Sequence, residues 1–120
     1  MLSFEHLYAT LPEPLWVATQ ATPVASPELI AFNAPLAREL GAQETPDPAT
    51  LAQWFSGNQP MPGSQPGALG YAGHQFGNFV PQLGDGRALL LGEVIDQNGV
   101  RRDVQLKGSG RTPFSRGGDG

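Results

Sequence analysis

The chain has 120 residues, 39% of them hydrophobic and 15% charged, with 16 glycines, 12 prolines and no cysteine. So many backbone breakers exclude a helix bundle or a coiled coil, and the missing thiols exclude a disulfide framework, a thiolate zinc site and a cysteine nucleophile. The formal charge of −4 is uneven: residues 1–86 carry −6, with Arg38 their one basic residue, whereas residues 87–120 carry +2 from Arg87, Arg101, Arg102, Lys107, Arg111 and Arg116. A basic, glycine-rich end suits a phosphate-bearing ligand, while a sequence pI of about 4.9 argues against a broad nucleic-acid surface. No apolar run approaches the roughly 20 residues that span a bilayer. Met1–Thr10 lacks the basic and apolar regions of a secretory signal, so a cytoplasmic protein is expected.

Residues 1–28 read as irregular, because Pro12, Pro14, Pro23 and Pro27 interrupt any long helix. Leu7, Leu11, Leu15 and Trp16 could still pack this segment onto another body. Asn33 is a natural N-cap for a short helix ending at Leu40, with Pro35 in the first turn and Gly41 after the last apolar residue. A second helix should start at Asp47 with Pro48 at its first position. It should present Leu51, Trp54 and Phe55 on one face and end at Gly57. Ser56 to Gly70 is uncharged, rich in proline and glycine, and reads as a loop.

Beyond it the pattern turns to strands. Phe79, Val80 and Leu83 suggest a short strand before Gly84-Asp85-Gly86, and Ala88 to Val94 is an apolar run of strand length. Asp96-Gln97-Asn98-Gly99 signals a turn, with Asn-Gly the pair favoured in tight hairpins. Arg102, Val104 and Leu106 then alternate with Asp103, Gln105 and Lys107 as a third strand. The fold class is therefore α+β: an irregular and helical segment over residues 1–70, packed on a small antiparallel sheet over residues 71–120.

Three stretches could carry chemistry. In Gly84-Asp85-Gly86-Arg87, paired glycines let the backbone approach a phosphate and Arg87 adds a fork of donors, although Asp-Gly is also an ordinary hairpin turn. Lys107, at the end of the third strand, would be carried back beneath that turn. Turn, hairpin and strand lysine follow the order of a protein-kinase N-terminal lobe without its full glycine pattern. The tail from Gly108 to Gly120 holds Arg111, Arg116, three hydroxyls and further glycines. It can wrap phosphate, or it is a flexible linker. His74, in Tyr71-Ala-Gly-His-Gln-Phe-Gly-Asn-Phe79, lacks a second ligand at a metal spacing, and His6 is equally isolated.

Long runs of this chain resemble the selenoprotein O family, the bacterial YdiU-type proteins: Tyr71 to Phe79, Gln82-Leu-Gly-Asp-Gly-Arg-Ala88, and Gln105-Leu-Lys-Gly-Ser-Gly-Arg-Thr-Pro-Phe-Ser-Arg-Gly-Gly-Asp-Gly120. Thr22-Pro-Val-Ala25 and Asn33 to Gly41 fit the family's start, so the resemblance covers essentially the whole chain. It implies a kinase-like fold holding ATP in a reversed orientation. It also implies transfer of AMP to Ser, Thr or Tyr hydroxyls of proteins with release of pyrophosphate, and Mg²⁺, or alternatively Mn²⁺, as the metal. It implies nucleotide contacts at Gly84, Gly86, Arg87, Lys107, Asp119 and Gly120. Members of the family are several-fold longer, so the catalytic base and metal ligands are expected beyond Gly120 and this stretch alone is expected to be inactive. The alternatives are a non-catalytic ATP-binding pseudokinase module and an interaction fragment.

Overall fold

A computed structural model describes residues 1–12, 15–75, 78–84 and 88–108, with 70–75 and 78–84 described as backbone. A 3-10 turn at Tyr8–Thr10 precedes β1 (Trp16–Ala18), α1 (Ala34–Glu39), α2 (Pro48–Phe55), β2 (Gly67–Gln75), β3 (Asn78–Gly84), β4 (Ala88–Ile95) and β5 (Arg101–Lys107). The α+β class and the small antiparallel sheet are as expected from the sequence.

Both helices start where their caps dictate. Asn33 Oδ1 accepts the Leu36 N–H at 3.0 Å and Asp47 Oδ1 accepts the Thr50 N–H at 2.7 Å, each meeting a donor that the first turn leaves unpaired. The Thr50 interaction also holds the Asp47 carboxyl below the usual carboxylate range. Gly41 and Gly57 end the helices at φ of 100° and 82°, a region that favours glycine. The inward face of α2 is Leu51 and Ala52 rather than the anticipated Leu51, Trp54 and Phe55. Phe55 lies on the surface, its ring 6.2 Å from that of Phe32.

The sheet runs in the order β1-β2-β4-β5, with β3 pairing β2 off that path. β4 is central and buried along nearly its whole length, so it reads as a continuous apolar run instead of an alternating one. Leu89, Leu90, Leu91 and Val94 form the core with Leu51, Met61 and Ala68. A register shift between Leu90 and Gly92 marks a bulge, and Gly92 there has φ of 152°. Among the described residues β5 is an edge strand, and its Arg101, Arg102, Asp103, Gln105 and Lys107 are exposed.

Four expectations change. Trp16–Ala18 is a strand: its register with β2 (Trp16 with Leu69, Ala18 with Gly67) lays the Trp16 indole against Gly67, where a side chain would collide with it. The expected loop to Gly70 stops at Pro66, because Gly67 already pairs with both Ala18 and Leu90, and β2 continues through Gln75 across residue 70. The Asp96–Gly99 turn is not a two-residue Asn-Gly hairpin. Asp96 N–H donates to the Val100 carbonyl at 2.9 Å, Gly99 N–H donates to the Asp96 carbonyl at 3.0 Å, and Gly99 takes φ of 76°. This is a three-residue loop with a glycine bulge, and Asn98 stays out of the left-handed region. Finally, β3 and β4 both run antiparallel to β2 and hence in the same direction, so no hairpin joins them.

Candidate functional site

Three strand ends converge at one end of the sheet. β3 finishes at Gly84, opposite Gly70 of β2; β4 begins at Ala88; and β5 finishes at Lys107, directly opposite Ala88. The β4–β5 hairpin therefore returns Lys107 to the start of the strand that follows the Gly84–Arg87 stretch. The register of this hairpin fixes that placement, and the Asp96 turn fixes the register. Asp96 Oδ1 accepts the N–H groups of Asn98 and Val100, both at 2.9 Å, and Oδ2 accepts Arg102 Nε at 3.1 Å. The Val100 N–H is the main cause holding the Asp96 carboxyl below its ordinary range. Burial opposes it, and Arg102 and the Asn98 N–H add to it.

Lys107 is exposed and makes no ion pair among the described residues, so its ammonium is available to an anion. It shares a sheet face with Ala88 and Gln105, since paired residues of an antiparallel ladder point to the same side. Val104 and Leu106 point to the other side. Beside them an apolar groove of about 390 Å³ lies between β5 and α1, walled by Leu2, Phe32, Leu36, Leu40 and Leu106, with Lys107 at its border. Among the described residues the arrangement offers the Lys107 cation, at a convergence of strand ends, close to a face that could accept a flat apolar group.

Of the residues singled out from the sequence, Gly84 and Lys107 are brought to this end of the sheet. Gly86, Arg87, Asp119 and Gly120 lie outside the described residues, as do Arg111 and Arg116. His74 sits in β2 opposite Phe79. His6 has a structural role, its Nε2 lying 2.7 Å from the Gly63 carbonyl. Among the described residues no group of three or more His, Cys, Asp or Glu side chains could hold a metal ion, so no role for a metal is derived from them. None of the described helices is long and apolar enough to cross a membrane.

Sequence reasoning passed over Glu93. It is a fully buried carboxylate in the middle of β4. The signal was present: a single acid inside Ala88-Leu-Leu-Leu-Gly-Glu-Val94, where a charge must find partners or cost free energy.

Comparison with known proteins agrees with the resemblance read from the motifs. The chain is 61% identical over 118 residues to a protein nucleotidyltransferase YdiU of Rhodopseudomonas palustris (strain BisB18), covering 98% of this chain and 24% of that protein. It is 60% identical over 119 residues to the protein of the same name in Rhizobium rhizogenes (strain K84), covering 99% of this chain and 24% of the relative. It is 61% identical over 121 residues to that of Agrobacterium fabrum (strain C58), covering 100% and 25%. This chain thus spans about a quarter of the length of these relatives. The family described as protein adenylyltransferase SelO matches residues 1–120, and the chain belongs to that family.

Proposed function

We propose that this chain forms part of the nucleotide-binding lobe of a protein adenylyltransferase, which moves AMP from ATP to a Ser, Thr or Tyr hydroxyl of a protein. Membership of a nucleotidyltransferase family supports the class of reaction. The observation that carries the site is Lys107 opposite Ala88, at the end of the sheet where β3 and β4 meet. The succession of strand, glycine-rich connection, strand, hairpin and strand lysine supports a kinase-like lobe.

In the proposed transfer, the substrate hydroxyl oxygen forms a bond to the α-phosphorus of ATP. The bond from that phosphorus to the bridging oxygen of the β-phosphate breaks. Pyrophosphate leaves, and the hydroxyl proton passes to a base outside this chain. Charge accumulates on the leaving pyrophosphate, and a preorganised cation beside it lowers the barrier. Lys107 supplies that cation, and Gly84 and Gly86 let the backbone approach the phosphates. Arg87, Asp119 and Gly120 add further contacts. The metal associated with ATP belongs to residues beyond this chain, and the chain by itself transfers nothing.

The test is label transfer by the full-length protein, with ATP labelled at the α- or at the γ-phosphate, for wild type and Lys107→Ala. Protein labelled from α-labelled ATP alone, with the label lost in the variant, is the expected result. Label from γ-labelled ATP would indicate an ordinary kinase. Label from neither, with nucleotide still binding, would indicate a non-catalytic module. Full transfer by Lys107→Ala would remove Lys107 from the site.

A further inference from the structure

The N-terminal residues 1–10 form a strap that lies beside β4 at Glu93. Glu5 forms a two-way backbone bridge with Glu93 of β4, its N–H donating to the Glu93 carbonyl at 2.7 Å and its carbonyl accepting the Glu93 N–H at 2.8 Å. The same Glu93 reaches further along the strap: its Oε1 accepts the N–H of Leu7 at 3.0 Å and of Tyr8 at 3.3 Å. One residue therefore holds the strap at Glu5, Leu7 and Tyr8. At the surface an exposed pair, Arg101 with Glu5 at 2.8 Å, adds little.

Met1, Leu2, Phe4 and Tyr8 are half-buried, so partial apolar packing holds the strap together with the Glu93 bonds. One feature works against this closure. The second oxygen of the latch, Glu93 Oε2, is buried with no hydrogen-bond partner among the described residues. A half-satisfied buried carboxylate is costly, and opening the strap lets both oxygens reach water. The closed state thus gives up hydration that the open state regains.

The strap also touches the candidate site. Its first two residues, Met1 and Leu2, line the apolar groove whose far wall is Val104 to Lys107. We infer that residues 1–10 are a releasable strap latched by Glu93, which opens as a unit while the sheet stays folded and thereby withdraws Met1 and Leu2 from the groove beside Lys107. The inference goes beyond the proposed transfer reaction and does not depend on it.

The test is hydrogen exchange followed by methyl NMR, on the full-length protein. Leu7→Pro deletes one donor to Glu93 at a residue whose φ of −63° already suits proline and whose side chain is 60% exposed. In the wild type the amides of Glu5, Leu7 and Tyr8 should exchange together, with a weaker denaturant dependence than the β4–β5 ladder. In Leu7→Pro, exchange at Glu5 and Tyr8 should rise at least tenfold while the ladder is unchanged, and the Leu2 methyl signals should shift toward solvent-exposed positions. Glu93→Gln, which keeps an acceptor oxygen, should give a smaller rise. Strap amides that exchange with the ladder in all three proteins would overturn the strap. Freed strap amides with unmoved Leu2 methyls would overturn its link to the groove.

Discussion

Gly92→Ala tests whether the β4 bulge and the strap fit together as described. Gly92 has φ of 152°, and a Cβ placed there would lie 2.9 Å from Phe4 Cδ1, 3.0 Å from the Glu5 carbonyl oxygen and 3.0 Å from His6 Cε1. The Phe4 ring can swing aside, but the Glu5 carbonyl is fixed by its bond from the Glu93 N–H. Two costs follow. The backbone strain of a non-glycine residue in this region is about 1–3 kcal/mol and falls on the β4–β5 ladder. The overpacking, about 1–3 kcal/mol by itself, is relieved by lifting the strap. Gly99→Ala is the control: φ is 76° with no atom within 4 Å of the added carbon. Its left-handed strain of about 1–2 kcal/mol is partly offset by about 0.4–1 kcal/mol from a less flexible unfolded chain. Exchange protection in the full-length protein reads both. Gly92→Ala should strip protection from Glu5, Leu7 and Tyr8 and weaken the ladder by about 2 kcal/mol, a factor of about 30. Gly99→Ala should leave the strap intact and weaken the ladder by about 1 kcal/mol or less. Strap protection that survives Gly92→Ala, or one pattern for both variants, would refute the packing described at Gly92.

Three more outcomes can be checked. Asn33→Ala should cost about 1 kcal/mol by removing the cap that accepts the Leu36 N–H, measurable as faster exchange in α1 alone. Asp96→Asn should destabilise the β4–β5 turn at neutral pH. Because the folded carboxyl sits below its ordinary range, its contribution is complete above the unfolded value of about 3.9 and is lost as pH falls through the folded one. The difference from wild type should therefore shrink on acidification below about pH 4, and a pH-independent difference would contradict the assigned hydrogen bonds. Lys107→Ala should change stability by no more than about 0.5 kcal/mol, since the side chain is exposed and makes no ion pair among the described residues. Near-wild-type melting beside lost label transfer would separate a binding role from a folding one.

What the sequence made legible follows the range of the interactions involved. The caps at Asn33 and Asp47 act three residues away, so their helices could be placed from neighbouring letters alone. The Asp96–Gly99 turn was legible as a turn, but its type was not: the deciding contacts reach Val100 and Arg102, and only Gly99 adopts the left-handed region. Trp16–Ala18 was hidden among prolines because its reason for being a strand lies some 50 residues away, in Gly67 to Leu69. The common direction of β3 and β4 is likewise non-local, since each takes its orientation from β2. For the candidate site, Lys107 was identified as a strand lysine, while its exact neighbour, Ala88, required the bulged register that Gly92 sets. Glu93 was visible as an acid in an apolar run, but its partners come from the far N-terminus, which no spacing rule connects to it.

The edge strand β5 has a consequence for how copies of the molecule meet. An edge strand offers unpaired backbone groups to any neighbour able to lie alongside it. Here Arg101, Arg102, Asp103, Gln105 and Lys107 all project into water from that edge, and a strand docking there would have to strip hydration from four charges. The exposed charges of β5 thus discourage the sheet from growing outward at this strand. The same lysine that stands at the candidate phosphate site is one of the four charges a docking strand would have to desolvate.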